Sequence, residues 1–306
     1  MAFLEQHKAG SPTDEQVYWI SMKPREIAQR FFEQSGLRVS HGLIKRTLLS
    51  LGFSYRKMRK SLPTGTYAQR EMQFKIIFSL VAITSQRTPL ICIDCKKKER
   101  LGNLYRQGKC WVQHGALQVF DHDYDHLATG RLIPFGIYDL CRNQGYVSIG
   151  TSHETAEFIA DTLRWWWDEF GLHHYPDAGS ILILCDAGGA NSCRHHAFKK
   201  QMLALATQLG VDIYICHYPP YASKWNPIEH RLFPHLHRAM EGVVFTDYEL
   251  VKQLMEKTKT QTGLEVFVTI NKKYYPIGLK TTKEEIDWNR VRPNPVIPQL
   301  SYRLLA

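Results

Sequence analysis

Two short apolar runs that each lead into an aspartate constrain the fold of this chain more than any other feature. Asp94 lies in "LICIDC", and Asp186 ends "ILILCD" just before a glycine pair. Apolar runs of this length are typical of buried strands, and a carboxylate there is costly unless it is paired, hydrogen-bonded or bound to a metal ion. If both strands belong to one sheet, we expect the two acids to lie side by side at its carboxyl edge.

Strand and helix patterns alternate around these two runs. Helical patterns over "SHETAEFIADTLRWWWDEFG" and "NSCRHHAFKKQMLALATQLG" separate strand-like runs that include "VDIYICHYPP". The alternation predicts an α/β domain with some parallel pairing, and the strand-like runs before residue 150, joined by short links, predict antiparallel pairing. We therefore predict a mixed sheet flanked by helices. The first helix has an apolar face that we assign to the core: Ala156, Ile159, Ala160, Leu163, Trp166, Trp167 and Phe170.

A third acid, Glu229, lies in the first turn of the helix predicted from "SKWNPIEHRL". One explanation is a capping box, with Asn226 as N-cap, Pro227 at N1 and Glu229 at N3. Asp186 is likewise placed to cap the helix that follows it. The three carboxylates together favour a different explanation, because hard oxygen ligands suit Mg²⁺ or Mn²⁺, and two such ions support phosphoryl transfer.

Two helical patterns near the amino terminus predict a helix-turn-helix. "KPREIAQRFFEQSG" ends at Gly36, and Ser40 is a candidate N-cap for "HGLIKRTLLSLG", in which Lys45 and Arg46 lie on the outer side. Two helices joined by a tight turn that contains glycine suit DNA recognition, with a small packing module as the alternative. A basic arm suited to phosphates follows, with Arg56, Lys57, Arg59 and Lys60.

The charge and the cysteines narrow the class of partner. The 39 lysines and arginines exceed the 29 acids by ten, which favours a polyanionic partner, with nucleic acid first. Cys92 and Cys95 form a C-x-x-C without a second ligand pair, so we expect Cys92 to pack as a small apolar residue. The start of the chain lacks a signal-peptide pattern and no apolar run approaches about 20 residues. We therefore expect an intracellular protein without a membrane segment.

Four blocks carry a family resemblance: "PLICIDCKKKERLGNLYRQG", "IPFGIYDLCRNQGYVSIGTSHETAEFIADTLRWWW", "LILCDAGGANSCR" and "CHYPPYASKWNPIEHRLF". In this order they resemble the Rhodopirellula-type DDE transposases of bacterial insertion sequences, over about residues 40 to 290. The resemblance implies a ribonuclease-H-like core, Mg²⁺ or Mn²⁺, and cleavage and joining of element-end DNA in the bacterial cytoplasm, at the nucleoid. Carried over residue by residue, it implies that Asp94, Asp186 and Glu229 are the catalytic, metal-binding acids.

The resemblance also sets expectations for partners and supporting residues. Joining two element ends to a target implies double-stranded DNA as partner and at least a homodimer on it. Two alternatives remain: a transposase-derived DNA-binding protein without activity, and a nuclease with the same core that is not a transposase. Seven further residues are expected to contact phosphates or support the acids: Lys96, Lys97, Lys98, His217, Lys224, Asn226 and His230.

These patterns predict four regions in one α/β protein. Residues 1–62 form an all-α helix-turn-helix segment with its basic arm, and residues 63–87 a connecting helix. Residues 88–245 form the ribonuclease-H-like catalytic core. Residues 246–306 form an extension with a helix and a two-stranded hairpin that turns at Asn271–Lys273.

Overall fold

The computed structural model of the chain describes residues 8–11, 14–20, 22–55, 69–84, 86–113, 115–220 and 222–306. The chain divides into two compact units, residues 1–64 and 65–306. The basic arm predicted from the sequence lies outside the described residues, and so do all four of its side chains: Arg56, Lys57, Arg59 and Lys60.

The first unit begins with an antiparallel pair of strands, β1 (Lys8–Ser11) and β2 (Asp14–Ile20). The prediction of an all-α segment is therefore wrong for these residues. The sequence of β2, DEQVYWI, explains the difference, because β-branched and aromatic residues favour strands and the four residues from Val17 to Ile20 are all of these kinds.

Two helices follow in the first unit, α1 (Pro24–Ser35) and α2 (His41–Ser50), and they pack on each other. Gly36 ends α1 with φ of +73°, a conformation that glycine adopts without the steric cost of a Cβ atom. The Ser40 hydroxyl accepts a hydrogen bond from the Leu43 N–H at 3.1 Å and so caps α2. The predicted helix boundaries at Gly36 and Ser40 are thus confirmed.

A nine-stranded mixed sheet, counted over the described residues, forms the centre of the second unit. Its main path runs β10-β11-β8-β7-β3-β5-β6-β9, and β4 pairs with β5 outside this path. The strands are β3 (Leu90–Cys95), β4 (Glu99–Leu101), β5 (Gly130–Asp139), β6 (Gln144–Gly150), β7 (Ser180–Cys185), β8 (Asp212–His217), β9 (Glu265–Asn271), β10 (Val291–Pro293) and β11 (Ser301–Leu304).

The directions of the central strands divide this sheet into an antiparallel part and a parallel part. The strands β3, β5 and β6 form an antiparallel meander, and β7 and β8 add to the other side of β3 in parallel. The five strands therefore lie in the order third, second, first, fourth, fifth. The predicted mixed sheet, with its early antiparallel and later parallel strands, is confirmed.

Helices cover both faces of the sheet and bury two apolar clusters. The tryptophan-rich helix α4 continues through a π-helical turn (Trp167–Gly171) and a last turn (Leu172–His174), and it packs with α5 on one face. Trp166 and Trp167 are buried there, so the predicted core role of this helix is confirmed. The helices are α3 (Arg70–Ile83), α4 (Ala156–Trp166), α5 (His196–Leu209), α6 (Ile228–Arg231), α7 (Phe233–Ala239) and α8 (Tyr248–Glu256).

The carboxyl-terminal residues complete the same sheet instead of forming a separate hairpin. The strand β9 pairs in parallel with β6, and β11 pairs antiparallel with β8. The residues after Asn271 do not return as a strand beside β9, so the hairpin predicted at Asn271–Lys273 is wrong. The partner that satisfies the backbone of β9 is the distant strand β6, and such a non-local pairing leaves no local signal in the sequence.

None of the helices in the described part of the chain combines the length and the apolar character needed to span a bilayer. The thiol predicted to pack as an apolar residue, Cys92, is fully buried on β3, as expected.

One glycine permits the close approach of α6 and α7 to the sheet. Gly136 on β5 lies opposite Asp94 in the antiparallel register. A Cβ atom at this position would lie 2.8 Å from Cε1 of Phe233 and 3.0 Å from Cδ1 of Ile228. Both distances are shorter than a comfortable carbon–carbon contact, so a larger residue would push α6 and α7 away from the sheet.

We expect Gly136→Ala to lower the free energy of unfolding by about 1–3 kcal/mol, because overpacking forces side chains or backbone to shift. Denaturant unfolding of the whole chain measures this change. Gly179→Ala is a matched control, since a Cβ atom there meets no atom within 4 Å. Equal stability of the two variants would contradict the close packing at Gly136.

Candidate active site

The register of the sheet brings Asp94 and Asp186 together. Ile93 on β3 pairs with Cys185 on β7 in the parallel register, so the next residue on each chain segment is an aspartate. Neighbouring strands lie about 4.8 Å apart, and side chains alternate between the two faces along a strand. The two aspartates therefore share a face of the sheet and lie next to each other at the carboxyl end of these strands.

That face is the one covered by α6. Leu90 and Cys92 on β3, and Leu184 on β7, belong to the apolar cluster that also contains Ile228 of α6. Asp94 and Asp186 continue the same alternation at the open end of the cluster. The side chain of Glu229, in the first turn of α6, lies near the carboxyl group of Asp94, and its negative charge adds to the effect of burial on the pKa of Asp94.

The approach to α6 is held by a fully buried asparagine. The Asn226 side chain donates from Nδ2 to the carbonyl oxygen of Ile93 at 3.4 Å. It does not cap α6 with its side chain, so the predicted capping box is wrong. The Glu229 N–H instead bonds to the Asn226 backbone carbonyl at 3.1 Å. The asparagine thus ties the start of α6 to the residue that precedes Asp94, while its Oδ1 atom is buried without a hydrogen-bond partner.

Burial and mutual repulsion dominate the electrostatics of the three acids. Burial and, after it, the negative charges of Asp186 and Glu229 together raise the pKa of Asp94 to about 8. Burial also raises the pKa of Asp186, with smaller contributions from Glu154 and Glu229. Two contacts favour the ionised form of Asp186: the Asn191 amide donates to its Oδ1 at 3.0 Å, and the Gly188 N–H donates to its carboxylate.

A fourth acid near the site, Glu154, was not predicted from the sequence. It directly precedes Thr155, the N-cap of α4, and its carboxylate pairs with Lys98 at 2.9 Å. Its charge raises the pKa of both Cys95 and Asp186, which places it beside the ends of β3 and β7. The sequence does contain a signal, since Glu154 is an acid that closely follows the strand β6. The sequence does not show, however, that β6 lies in the same sheet as β3.

A buried network also supports the backbone of Asp186. His217, at the end of β8, contacts the Asp186 carbonyl oxygen through Nδ1 at 2.9 Å and the Tyr302 hydroxyl through Nε2 at 3.1 Å. Burial lowers the pKa of His217 to about 4, so the ring is neutral near pH 7. The amide of Gln73 on α3 donates to the His217 carbonyl at 2.8 Å. This chain of contacts connects α3 to the second acid.

Three of the seven residues expected to contact phosphates or support the acids have buried side chains, so a phosphate contact is wrong for these three. His217 and Asn226 are fully buried, and both instead support the backbone near the acids. Lys96 is buried and pairs with Glu99 at 3.0 Å. Four other predicted side chains in the second unit are exposed: Lys97, Lys98, Lys224 and His230. Lys45 and Arg46 are exposed on α2 of the first unit.

The donor chemistry of the site fits a hard divalent cation. Among the described residues, no three of the His, Cys, Asp and Glu side chains have the spacing that holds a metal ion as they stand. The acids nevertheless offer only oxygen ligands, which Mg²⁺ and Mn²⁺ prefer. Burial and the charges of Asp186 and Glu229 raise the pKa of Asp94, and a bound cation would offset both effects by favouring the ionised carboxylate.

A comparison with family models decides the identity of the chain. The model of the Rhodopirellula transposase DDE domain matches residues 1–306. The chain belongs to this transposase family. The suspected resemblance is thereby confirmed, and the family match covers this transposase chain from end to end. No curated protein shows significant similarity to it.

Solved structures of the mariner transposase Mos1 are distant structural neighbours of this family member. The Mos1 paired-end complex with the left transposon end has 16% identity and a TM-score of 0.47, over 78% of this chain and 66% of that chain. The Mos1 paired-end complex with Mg has 14% identity and a TM-score of 0.49, over 81% and 75%. The Mos1 catalytic domain has 13% identity and a TM-score of 0.41, over 66% and 84%. The chain thus spans slightly less than two thirds of the first of these Mos1 chains.

The raised pKa of Asp94 predicts how this site affects stability without metal. A carboxyl group whose pKa is about 8 in the folded state and about 4 in the unfolded state destabilises the fold as the pH rises between these values, because unfolding releases its proton. Asp94→Asn removes the penalty. We expect the variant to gain about 1–3 kcal/mol of stability over the parent chain at pH 8 relative to pH 5, after a discount for solvent screening.

Denaturant unfolding in EDTA at both pH values measures this gain. Asp177→Asn changes an exposed aspartate and serves as the control. If the gain in stability of Asp94→Asn is the same at pH 5 and pH 8, the pKa of Asp94 is not raised in the folded chain and this account of the site is contradicted.

Proposed function

We propose that this transposase-family chain cleaves DNA strands at the ends of an insertion element and joins them to target DNA, in a reaction that depends on Mg²⁺ or Mn²⁺. The convergence of Asp94, Asp186 and Glu229 at one sheet edge is the observation that carries the proposal. Family membership supports the transposase part of it. Burial and, after it, the charges of Asp186 and Glu229 raise the pKa of Asp94, and this cost of the ionised carboxylate supports the cation requirement.

The roles of the three acids follow from how each is held. Asp94 and Asp186 project from neighbouring strands of a rigid sheet, and Asn191 fixes the orientation of the Asp186 carboxylate through its 3.0 Å hydrogen bond. Glu229 approaches from α6, whose start is tied to β3 by Asn226. When bound, two divalent cations would supply charge stabilisation and a more acidic attacking hydroxyl or water.

The same acids would serve both chemical steps. In the first step, water attacks the phosphate at the element end, the bond to the neighbouring 3′ oxygen breaks, and the element keeps a free 3′ hydroxyl. In the second step, that hydroxyl attacks a target phosphate in line and displaces the 3′ oxygen of the adjoining target nucleotide. One phosphodiester bond forms and one breaks, so their number is conserved. The exposed side chains of Lys97, Lys224 and His230 are suited to hold the backbone phosphates.

The first unit is assigned to recognition of double-stranded DNA ends. Its helices α1 and α2 have the length and the short connection of a helix-turn-helix, and Lys45 and Arg46 are exposed on α2. Joining two ends in one reaction requires at least two copies of the chain on the DNA. We therefore include a homodimer or a higher oligomer in the proposal.

The catalytic assignment is tested by Asp94→Asn, Asp186→Asn and Glu229→Gln in an assay for strand cleavage with Mg²⁺ or Mn²⁺, on DNA that flanks the gene. Loss of residues that only support metal ligands costs about 10–100-fold, so we expect each of these variants to lose at least 100-fold in rate. Asp177→Asn is the control. Full cleavage by all three variants would exclude the three acids as the catalytic centre.

The product pattern of the parent chain separates the alternatives. Cleaved and joined products agree with a transposase. Cleavage without joined products would indicate a nuclease with the same core. Binding to DNA without cleavage on any tested end would indicate a transposase-derived DNA-binding protein, and either result would overturn the proposal.

The recognition assignment predicts a change in salt dependence. Lys45→Gln combined with Arg46→Gln is expected to weaken binding to duplex DNA and to reduce the slope of log K against log salt by about 0.9 for each phosphate that the variant no longer neutralises. Fluorescence anisotropy over a salt series measures both quantities. Lys257→Gln, at an exposed lysine after α8, is the control. An unchanged slope would remove α2 from the DNA interface.

A further inference from the structure

A cavity of about 1190 Å³ lies next to Asp186, on the side of the site away from Glu229. We call it the Trp288 pocket. Three segments line it: the start of α5 with the turn before it, the loop after β8, and the carboxyl-terminal stretch around β10 and β11. Its edge at Asp186 belongs to the candidate active site, and of its other side chains only Tyr302 was described above, through its contact with His217. The residues that matter are Asp186, Arg194, His196, Lys199, Trp288 and Tyr302.

The charge of the Trp288 pocket suits a phosphate group. Lys199 is half-buried, its ammonium group donates to the Cys193 carbonyl, and it lies 5.1 Å from the centre of the Tyr302 ring. An ammonium group has three N–H donors, so donors remain for a ligand. Arg194 is exposed at the same pocket, and Asp186 is the one carboxylate among the described lining residues.

The walls of the pocket suit a flat ring. Trp288 is 39% exposed, and its indole N–H donates to the Lys283 carbonyl at 2.9 Å, which fixes the orientation of the ring. His196 meets Trp288 edge-on at 6.2 Å between ring centres. The remaining walls are largely apolar and include Pro219, Pro220 and Pro293. An aromatic face that is held in place and partly exposed is what nucleobases stack on.

The pocket on the other side of the acids has a different character. This second cavity has about 690 Å³ and adjoins Glu229. Its buried cations are already neutralised, because Lys96 and Arg106 both pair with Glu99, at 3.0 and 2.6 Å. The Arg106 guanidinium also lies 3.3 Å from the centre of the Phe245 ring, which occupies that ring face. The other cation and the accessible ring of this second cavity, Lys97 and Tyr105, are both exposed. In the Trp288 pocket, by contrast, the described residues place the half-buried Lys199 beside a ring whose orientation is fixed by a hydrogen bond.

We propose that the Trp288 pocket binds one unpaired nucleotide of the DNA substrate, with its base on Trp288 and its phosphate on Lys199 and Arg194. This inference rests on the proposed function, since it assigns the strand that passes Asp186. The volume exceeds the 300–1,000 Å³ typical of small-ligand sites and accommodates a single nucleotide. A base inside a duplex is already stacked and paired, so the strand must be unpaired next to the reacting phosphate.

The function of such a pocket is to position the substrate. A base held on Trp288 fixes the path of the strand as it passes Asp186, which aligns the reacting phosphate with the acids. Stacking does not depend on the identity of the base, because every base has an aromatic face. The pocket is thus suited to an unpaired nucleotide of any sequence.

Photo-crosslinking tests the location of the base. The probe is a duplex with a short single-stranded overhang of thymidines, in which the first unpaired base is 5-iodouracil, incubated with the whole chain in EDTA. We expect irradiation to link this base to the peptide that contains Trp288, as identified by mass spectrometry. Crosslinks that form only on other peptides would overturn the proposal. Metal-dependent cleavage is not needed for this result, so failure of the proposed function is a separate outcome.

Variants test the energetics under the same metal-free conditions. The measured quantity is the overhang preference, the ratio of Kd for a blunt duplex to Kd for the overhang probe, in which binding by the first unit cancels. Base stacking predicts that Trp288→Ala reduces this ratio by about 5- to 100-fold. Trp288→Phe should retain most of it, and Lys199→Gln should reduce it more at low salt than at high salt.

Matched controls exclude general effects of the substitutions. Trp111→Ala removes a fully exposed tryptophan, and Lys280→Gln an exposed lysine, both outside the pocket lining. Thermal unfolding confirms that each variant is folded. An overhang preference in Trp288→Ala and Lys199→Gln equal to that of the two controls would overturn the proposal.

Discussion

The parallel pairing of β3 with β7 places two aspartates on one face of a sheet. The surrounding structure has to compensate for the cost of holding their negative charges close together. Burial makes the ionised form of Asp94 costly, and its neighbours raise that cost. The surrounding structure holds the acids in place in spite of it: Asn191 orients Asp186, and Asn226 ties α6 to β3. Gly136 permits the close approach to the sheet of α6, the helix that carries Glu229. The result is a site whose electrostatic strain a bound cation would relieve.

Much of this arrangement could be predicted from the sequence, since short apolar runs that end in an acid identify strand ends at a sheet edge. The helix with three tryptophans and the caps at Gly36 and Ser40 follow from local patterns in the same way. Non-local pairings could not be predicted. Local turn chemistry at Asn271–Lys273 predicts a hairpin for β9, whereas its partner β6 lies more than 100 residues earlier. The pairing of β1 with β2 is likewise absent from the predictions.

Polar residues around the site show a second limit of sequence patterns. His217, Asn226 and Lys96 have side chains that bind phosphates at many protein surfaces, and their spacing from the acids suggested that role. Burial excludes a phosphate contact for these side chains. Burial depends on which distant segments cover a residue, and His217 is covered by Tyr302 and Gln73. Glu154 shows the opposite case, an acid that becomes part of the site only because β6 and α4 deliver it beside β7. Trp288 and Lys199 likewise meet only in the folded chain.

The central claim is that Asp94, Asp186 and Glu229 together hold divalent cations. Crystals of the chain soaked in Mn²⁺ test it most directly, because anomalous scattering locates manganese without reference to activity. We expect anomalous peaks between the three carboxylates, with metal–oxygen distances of about 2.0–2.3 Å, and their loss in crystals of Asp94→Asn. Manganese bound only at other acids, with the three carboxylates still in contact with one another, would contradict the claim.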